Sequence, residues 1–133
     1  MAVRISSSLL GQIVDEAREN PAREVCGLLF GRCDRIEAAA SAANVAAHPA
    51  DSFEIDPQAL FAAIRAERGG GPRLIGHYHS HPNGSARPSA RDAAAAEPGR
   101  YWLIVGGEEA LLWRAEADGA GGISFRPMAL RPE

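Results

Sequence analysis

Two histidines separated by a single residue, His79 and His81, and an aspartate further along, Asp92, are the side chains of this sequence best placed to hold a metal ion. In an extended chain, residues two apart point to the same face. A strand ending at His79-Ser80-His81 therefore presents two imidazoles to one ion. Pro82 ends that strand, and the glycine-containing loop Asn83 to Pro88 lets the chain fold back. Ser89 can then open a helix whose first turn projects Asp92, and the two share one helix face. Two imidazoles and a carboxylate suit zinc at about 2.0–2.2 Å, and a fourth position left to water is the coordination of a catalytic site. Each half alone has a plainer explanation: His-x-His is a common pattern, and Ser-x-x-Asp resembles a helix capping box. Their succession across one glycine loop is hard to explain by packing. One catalytic zinc ion per chain is the expected cofactor.

The elements around this segment follow from hydrophobic spacing. Ser6 to Glu19 reads as a helix, with Leu9, Leu10, Ile13, Val14 and Ala17 at three- and four-residue intervals and Pro21 as a stop. Val25 to Phe30 is a compact apolar run suited to a buried strand, and Arg35 to Val45 is read as a second strand. Phe53-Glu54-Ile55 is a candidate short strand. Asp56 as N-cap and Pro57 at the first helical position start a helix to about Arg68. Arg73 to Tyr78 is expected to be the strand that delivers the histidines, followed by a short helix from Ser89 to Ala96. Strands are expected at Tyr101 to Val105, Ala110 to Arg114 and Ile123 to Met128; the chain ends carry little signal. Helices interspersed with β-ribbons predict an α/β class, a single domain over residues 1–133 built on a mixed sheet flanked by helices.

A chain of 133 residues fits one domain and can bury roughly two thirds of its unfolded surface without disulfides. The net charge is −3 and no stretch concentrates arginine, so the basic stripe of a nucleic-acid binder is missing. The first residues lack a signal-peptide pattern, and no apolar run is long enough to span a bilayer. Cys26 and Cys33 form neither a C-x-x-C pair nor a secreted framework, which points to a reducing cytoplasm. The expected partners thus include neither nucleic acid nor membrane; the oligomeric state is left open.

With these residues in view, a resemblance becomes specific. His79-Ser80-His81-Pro82, with seven residues between His81 and Ser89, and then Ser89-x-x-Asp92 resemble the signature of the JAMM (MPN-plus) metalloproteases. Glu24-Val25-Cys26-Gly27-Leu28-Leu29-Phe30-Gly31 is similar to that family's upstream Glu-x-x-Gly-Leu-x-x-Gly context. The resemblance covers essentially the whole chain and implies the MPN fold, of cytidine-deaminase-like type. It implies zinc held by His79, His81 and Asp92, Glu24 as general base, and Ser89 as hydrogen-bond donor to the oxyanion. From position alone Glu16, Glu19 and Glu54 compete with Glu24. The implied activity is hydrolysis of peptide or isopeptide bonds, with the C-terminal tail of a ubiquitin-like or sulfur-carrier protein, or its adduct, as substrate. Such a side-chain-poor tail could add to a sheet edge.

Two other functions compete. A catalytically silent MPN-type scaffold would lack metal ligands, whereas the whole constellation is present here. A RadC-like, DNA-associated protein has a closely similar loop, but its N-terminal helix-hairpin-helix segment and a basic face are missing. His77 shares the strand face of His79 and His81, but a third imidazole would displace the reactive water, so a cleft-lining role is expected. Cys26 reads as a small buried hydrophobe, Trp102 and Trp113 as core, and Asn83 and Arg87 as loop residues beside the metal that could touch substrate, although exposed loops are polar by default.

Overall fold

Alternation of side chains along the strands sorts the apolar residues into two clusters. Leu29, Tyr78, Tyr101, Leu103, Val105 and Leu112 build one, and Trp102, Ile104, Trp113 and Ala115 the other. In the computed structural model, which describes residues 2–133, these strands belong to one sheet. The order along the chain is β1 (Ala2–Ile5), α1 (Ser7–Glu19), β2 (Cys26–Arg32), β3 (Arg35–Ala42), α2 (Pro57–Arg68), β4 (Leu74–His81), α3 (Ala90–Ala95), β5 (Tyr101–Gly106), β6 (Glu109–Ala117) and β7 (Ile123–Pro132). The sheet runs β1-β3-β2-β4-β5-β6-β7 and closes through a parallel β1–β7 pairing. β1–β3 and β4–β5 are also parallel, and the remaining pairs are antiparallel. Among the described residues, no helix is long and apolar enough to cross a membrane.

Sequence spacing and structure agree on α1 and α2. Ser6 caps α1 by accepting from Leu9 N at 3.0 Å, and Ile13 is buried against the first cluster with Leu9, Leu10, Val14 and Ala17 beside it. Asp56 caps α2, which begins at Pro57. This helix buries no residue. Phe61 is exposed, and an apolar groove of about 440 Å³ lies over Leu28, His77 and Trp102.

Three expectations need correction. The mixed sheet closes on itself, because β1 joins β3 to β7 through fully buried Val3 and Ile5; four residues were too short to signal a strand. β4 continues past Tyr78 through both histidines to His81. Phe53-Glu54-Ile55 forms only one isolated bridge, Asn44 to Ile55, since the Asn44 side chain and not a neighbouring strand receives the Glu54 N–H.

Gly27 sits opposite Tyr78 on β4, and a Cβ there would lie 2.2 Å from the Tyr78 ring. The glycine lets that ring cross β2 so that Tyr78 OH donates to Glu16 Oε1 at 2.5 Å, tying β4 to α1.

Candidate metal centre

His79 and His81 project from the end of β4, and Asp92 from the first turn of α3. The three are brought together at one point. The two Nε2 atoms lie 3.0 Å apart, His79 Nε2 is 3.3 Å from Asp92 Oδ1, and His81 Nε2 is 3.1 Å from Asp92 Oδ2. Donors placed about 2.0–2.1 Å from a tetrahedral zinc are separated by about 3.3 Å, so the two imidazole nitrogens, and each of them with one Asp92 oxygen, are spaced as ligands of a shared ion would be. All three side chains are buried. Two imidazole nitrogens and a carboxylate crowded together away from water fit a divalent cation.

The supports come from short-range chemistry. Ser89 is the N-cap of α3: its Oγ accepts from Asp92 N at 3.1 Å, and its N–H donates to Asp92 Oδ2 at 2.8 Å. The capping box thus aims the carboxylate at the imidazoles. The loop between β4 and α3 is anchored by His81 Nδ1 on the Ser85 carbonyl, 2.8 Å, and by Trp113 Nε1 on the Ala86 carbonyl, 3.0 Å. Phe53 stacks on the His79 ring, with centroids 4.2 Å apart and planes at 21°.

Glu24 lies at the mouth of β2, buried, with Oε1 lacking a hydrogen-bond partner. A carboxylate oxygen of Glu24 and ring nitrogens of His79 and His81 all fall within 4.8 Å of one another. Of the competing glutamates, Glu16 is committed to Ser41 and Tyr78. Burial raises the Glu24 carboxyl to about 7; Asp92 and Asp51 add to the shift, while His81 and Arg91 oppose it. Burial alone would also raise Asp92, but hydrogen bonds from His79 and His81 outweigh it and hold the group well below the usual carboxylate range. Burial lowers His79 against the pull of Asp92. For His81 burial is outweighed by Asp92 and the Ser85 carbonyl, and its value is raised.

The other candidates are placed elsewhere. His77 packs against Trp102, 4.2 Å between centroids, and lines the α2 groove; burial lowers it to about 3, so it is a neutral cleft residue. Trp102 and Trp113 are core residues. Cys26 is buried and its thiol is pushed up to about 12. Asn83 and Arg87 are exposed in the loop. Sequence reasoning missed Phe53 as the residue backing His79 and Asn44 as the hub of its loop. Neither carries a motif; only the Asp56-Pro57 cap signals that the loop must return to the sheet here.

Fold and donor set define an α/β domain with a candidate metal centre at a strand end. A family model described as prokaryotic homologs of the JAB domain matches residues 6–116, a span that includes Glu24 and the whole His79 to Asp92 segment. The chain belongs to that family. A desampylase of Haloferax volcanii is 36% identical over 107 residues, covering 78% of this chain and 77% of that protein. A probable TtuB-protein conjugate cleaving protease of Thermus thermophilus is 40% identical over 89 residues, 67% of this chain and 59% of that one. A protein of Desulfitobacterium hafniense, solved in solution, superposes with a TM-score of 0.78 at 28% identity, covering 100% of this chain and 94% of that one.

Proposed function

We propose that this protein is a cytoplasmic zinc isopeptidase that releases a ubiquitin-like or sulfur-carrier protein from the amine to which its C-terminal tail is joined. The observation that carries the reading is the convergence of His79, His81 and Asp92 beside a buried Glu24 carboxylate oxygen with no partner. The names of the Haloferax and Thermus relatives support the substrate class.

One zinc ion held by His79, His81 and Asp92 would act as a Lewis acid on the scissile carbonyl and acidify an attacking water. The protein's own groups do the rest. Glu24 accepts a proton from that water and returns it to the departing amine, so that amide and water become carboxylic acid and amine. A general base within reach of that proton contributes roughly 10²–10⁴-fold. The Ser89 hydroxyl uses a lone pair on Asp92 N, which leaves its single proton for the oxyanion; one such donor is worth about 3–4 kcal/mol. The loop at residues 43–56 and the groove beside it are walls available to the tail.

The deciding experiment is to incubate zinc-loaded protein with carrier-protein adducts and read the products by mass, with metal-free protein and His79→Ala as controls. Release of intact carrier by the zinc form alone is the expected result. Equal release by both controls would remove zinc from the mechanism.

A further inference from the structure

The segment joining β3 to α2 passes over the metal centre, and one of its side chains uses its full hydrogen-bonding capacity. Asn44 Nδ2 donates to the carbonyls of Glu24, 2.8 Å, and Ser52, 3.0 Å. Asn44 Oδ1 accepts from Ala46 N at 3.0 Å and Glu54 N at 3.1 Å. Both amide hydrogens and both lone pairs are thereby committed. Glu24 N donates to the Pro49 carbonyl of the same segment at 2.6 Å. From the opposite side Ser80 grips the next residue, its Oγ accepting from Val25 N at 2.9 Å and its N–H donating to Val25 O at 3.1 Å. Glu24 is therefore clamped between β4 and the loop. Ser52 and Glu54, both bonded to Asn44, flank Phe53, whose ring lies on His79.

We infer that Asn44 is a positioning residue for the hydrolysis: it ties the backbone of Glu24 to the loop that presses Phe53 on His79, and so sets the spacing between base and metal-binding imidazole. This rests on the reading of Glu24 as base given under the proposed function. Aspartate at this position keeps the acceptors for Ala46 and Glu54 but loses both donors. The Glu24 and Ser52 carbonyls would be released while the loop keeps its outline. A misplacement of about 1 Å in a catalytic group can cost on the order of 10²-fold in rate.

The test measures kcat and KM on a carrier-protein conjugate for Asn44→Asp, Glu24→Gln and the double variant, all zinc-loaded. Zinc stoichiometry and amide hydrogen exchange accompany each. Asn44→Asp is expected to bind one zinc, to lower kcat about 10–100-fold with KM within about threefold, and to cause no further loss in the Glu24→Gln background. A kcat within twofold of wild type, or an additive loss in the double variant, overturns the proposal. Should Asn44→Asp fail to fold, exchange in the wild-type protein decides: the Ala46 and Glu54 amides, bonded only to Asn44 Oδ1, should exchange at least about tenfold slower than free amides. Unprotected rates at both overturn it. Full turnover by Glu24→Gln would instead defeat the base assignment, and the exchange readout, which needs no turnover, separates the two failures.

Discussion

His81 Nδ1 lies 2.8 Å from the Ser85 carbonyl, and this contact decides which ring nitrogen faces Asp92. A carbonyl can only accept, so Nδ1 carries a proton, and in the neutral ring that can bind a metal the lone pair is the one on Nε2, facing the site. The loop that supplies Ser85 is seated against β5 at Gly106, where a Cβ would lie 2.2 Å from the Ser85 carbonyl carbon. Gly106→Ala should push the loop off β5 and loosen His81. Losing such an outer support typically costs 10–100-fold in metal affinity. Chelator competition should report a zinc Kd raised by about that factor in a folded protein; an unchanged Kd would refute the role given to the loop.

Glu24 links the stability of the metal-free protein to pH. Its folded value, about 7, stands above its ordinary 4.5 because of burial. A raised carboxyl makes a stabilising contribution that is fully present below pH 4.5 and lost as pH rises through about 7. Glu24→Gln cannot ionise, so the metal-free variant should match metal-free wild type near pH 4 and exceed it at pH 8 by about 1–3 kcal/mol. With Glu24 as the proposed general base, turnover should fall roughly 10²–10⁴-fold in the same variant with zinc retained. Urea titrations at the two pH values check the first statement. Equal stability differences at both would show that Glu24 is not held in a desolvated site.

The chemistry was more legible in the sequence than the architecture that supports it. His79-Ser80-His81-Pro82 and Ser89-x-x-Asp92 encode their own local geometry, a strand end and a capping box, so their meeting could be read from spacing. α1 and α2 were legible for the same reason, since periodicity and caps are local. β1 was not, because Val3 and Ile5 acquire meaning only when paired with β3 and β7. Nor was the role of Phe53, which reaches His79 through loop geometry fixed by four hydrogen bonds to Asn44. Contacts between distant segments leave no period in the chain.

The two cysteines should separate cleanly by reactivity. Cys26 is fully buried, its thiol pushed up to about 12 by burial and by Glu16, while Cys33 is exposed in the β2–β3 turn. Only the thiolate is nucleophilic. Iodoacetamide at pH 8 should modify one thiol per folded chain, Cys33, and leave turnover unchanged, with Cys26 labelled only after denaturation. Mass spectrometry of peptides reads the site. Rapid labelling of Cys26 with loss of activity would make it part of the chemistry.

Ser89 caps α3 and is the proposed donor to the oxyanion, two duties that substitution can separate. As N-cap of α3 it accepts from Asp92 N, and replacing a capping serine by alanine costs about 1 kcal/mol, by glycine only a few tenths. The carboxylate of Asp92 is oriented by the Ser89 backbone N–H, which any residue other than proline retains. Ser89→Gly should therefore leave zinc affinity within a few-fold and the melting temperature nearly unchanged, while turnover falls about 10²–10³-fold from loss of the hydroxyl donor. Ser89→Thr, which keeps both cap and hydroxyl, should retain most activity. If Ser89→Gly turned over like wild type, the hydroxyl would have no part in oxyanion stabilisation, and Ser89 would be a cap alone.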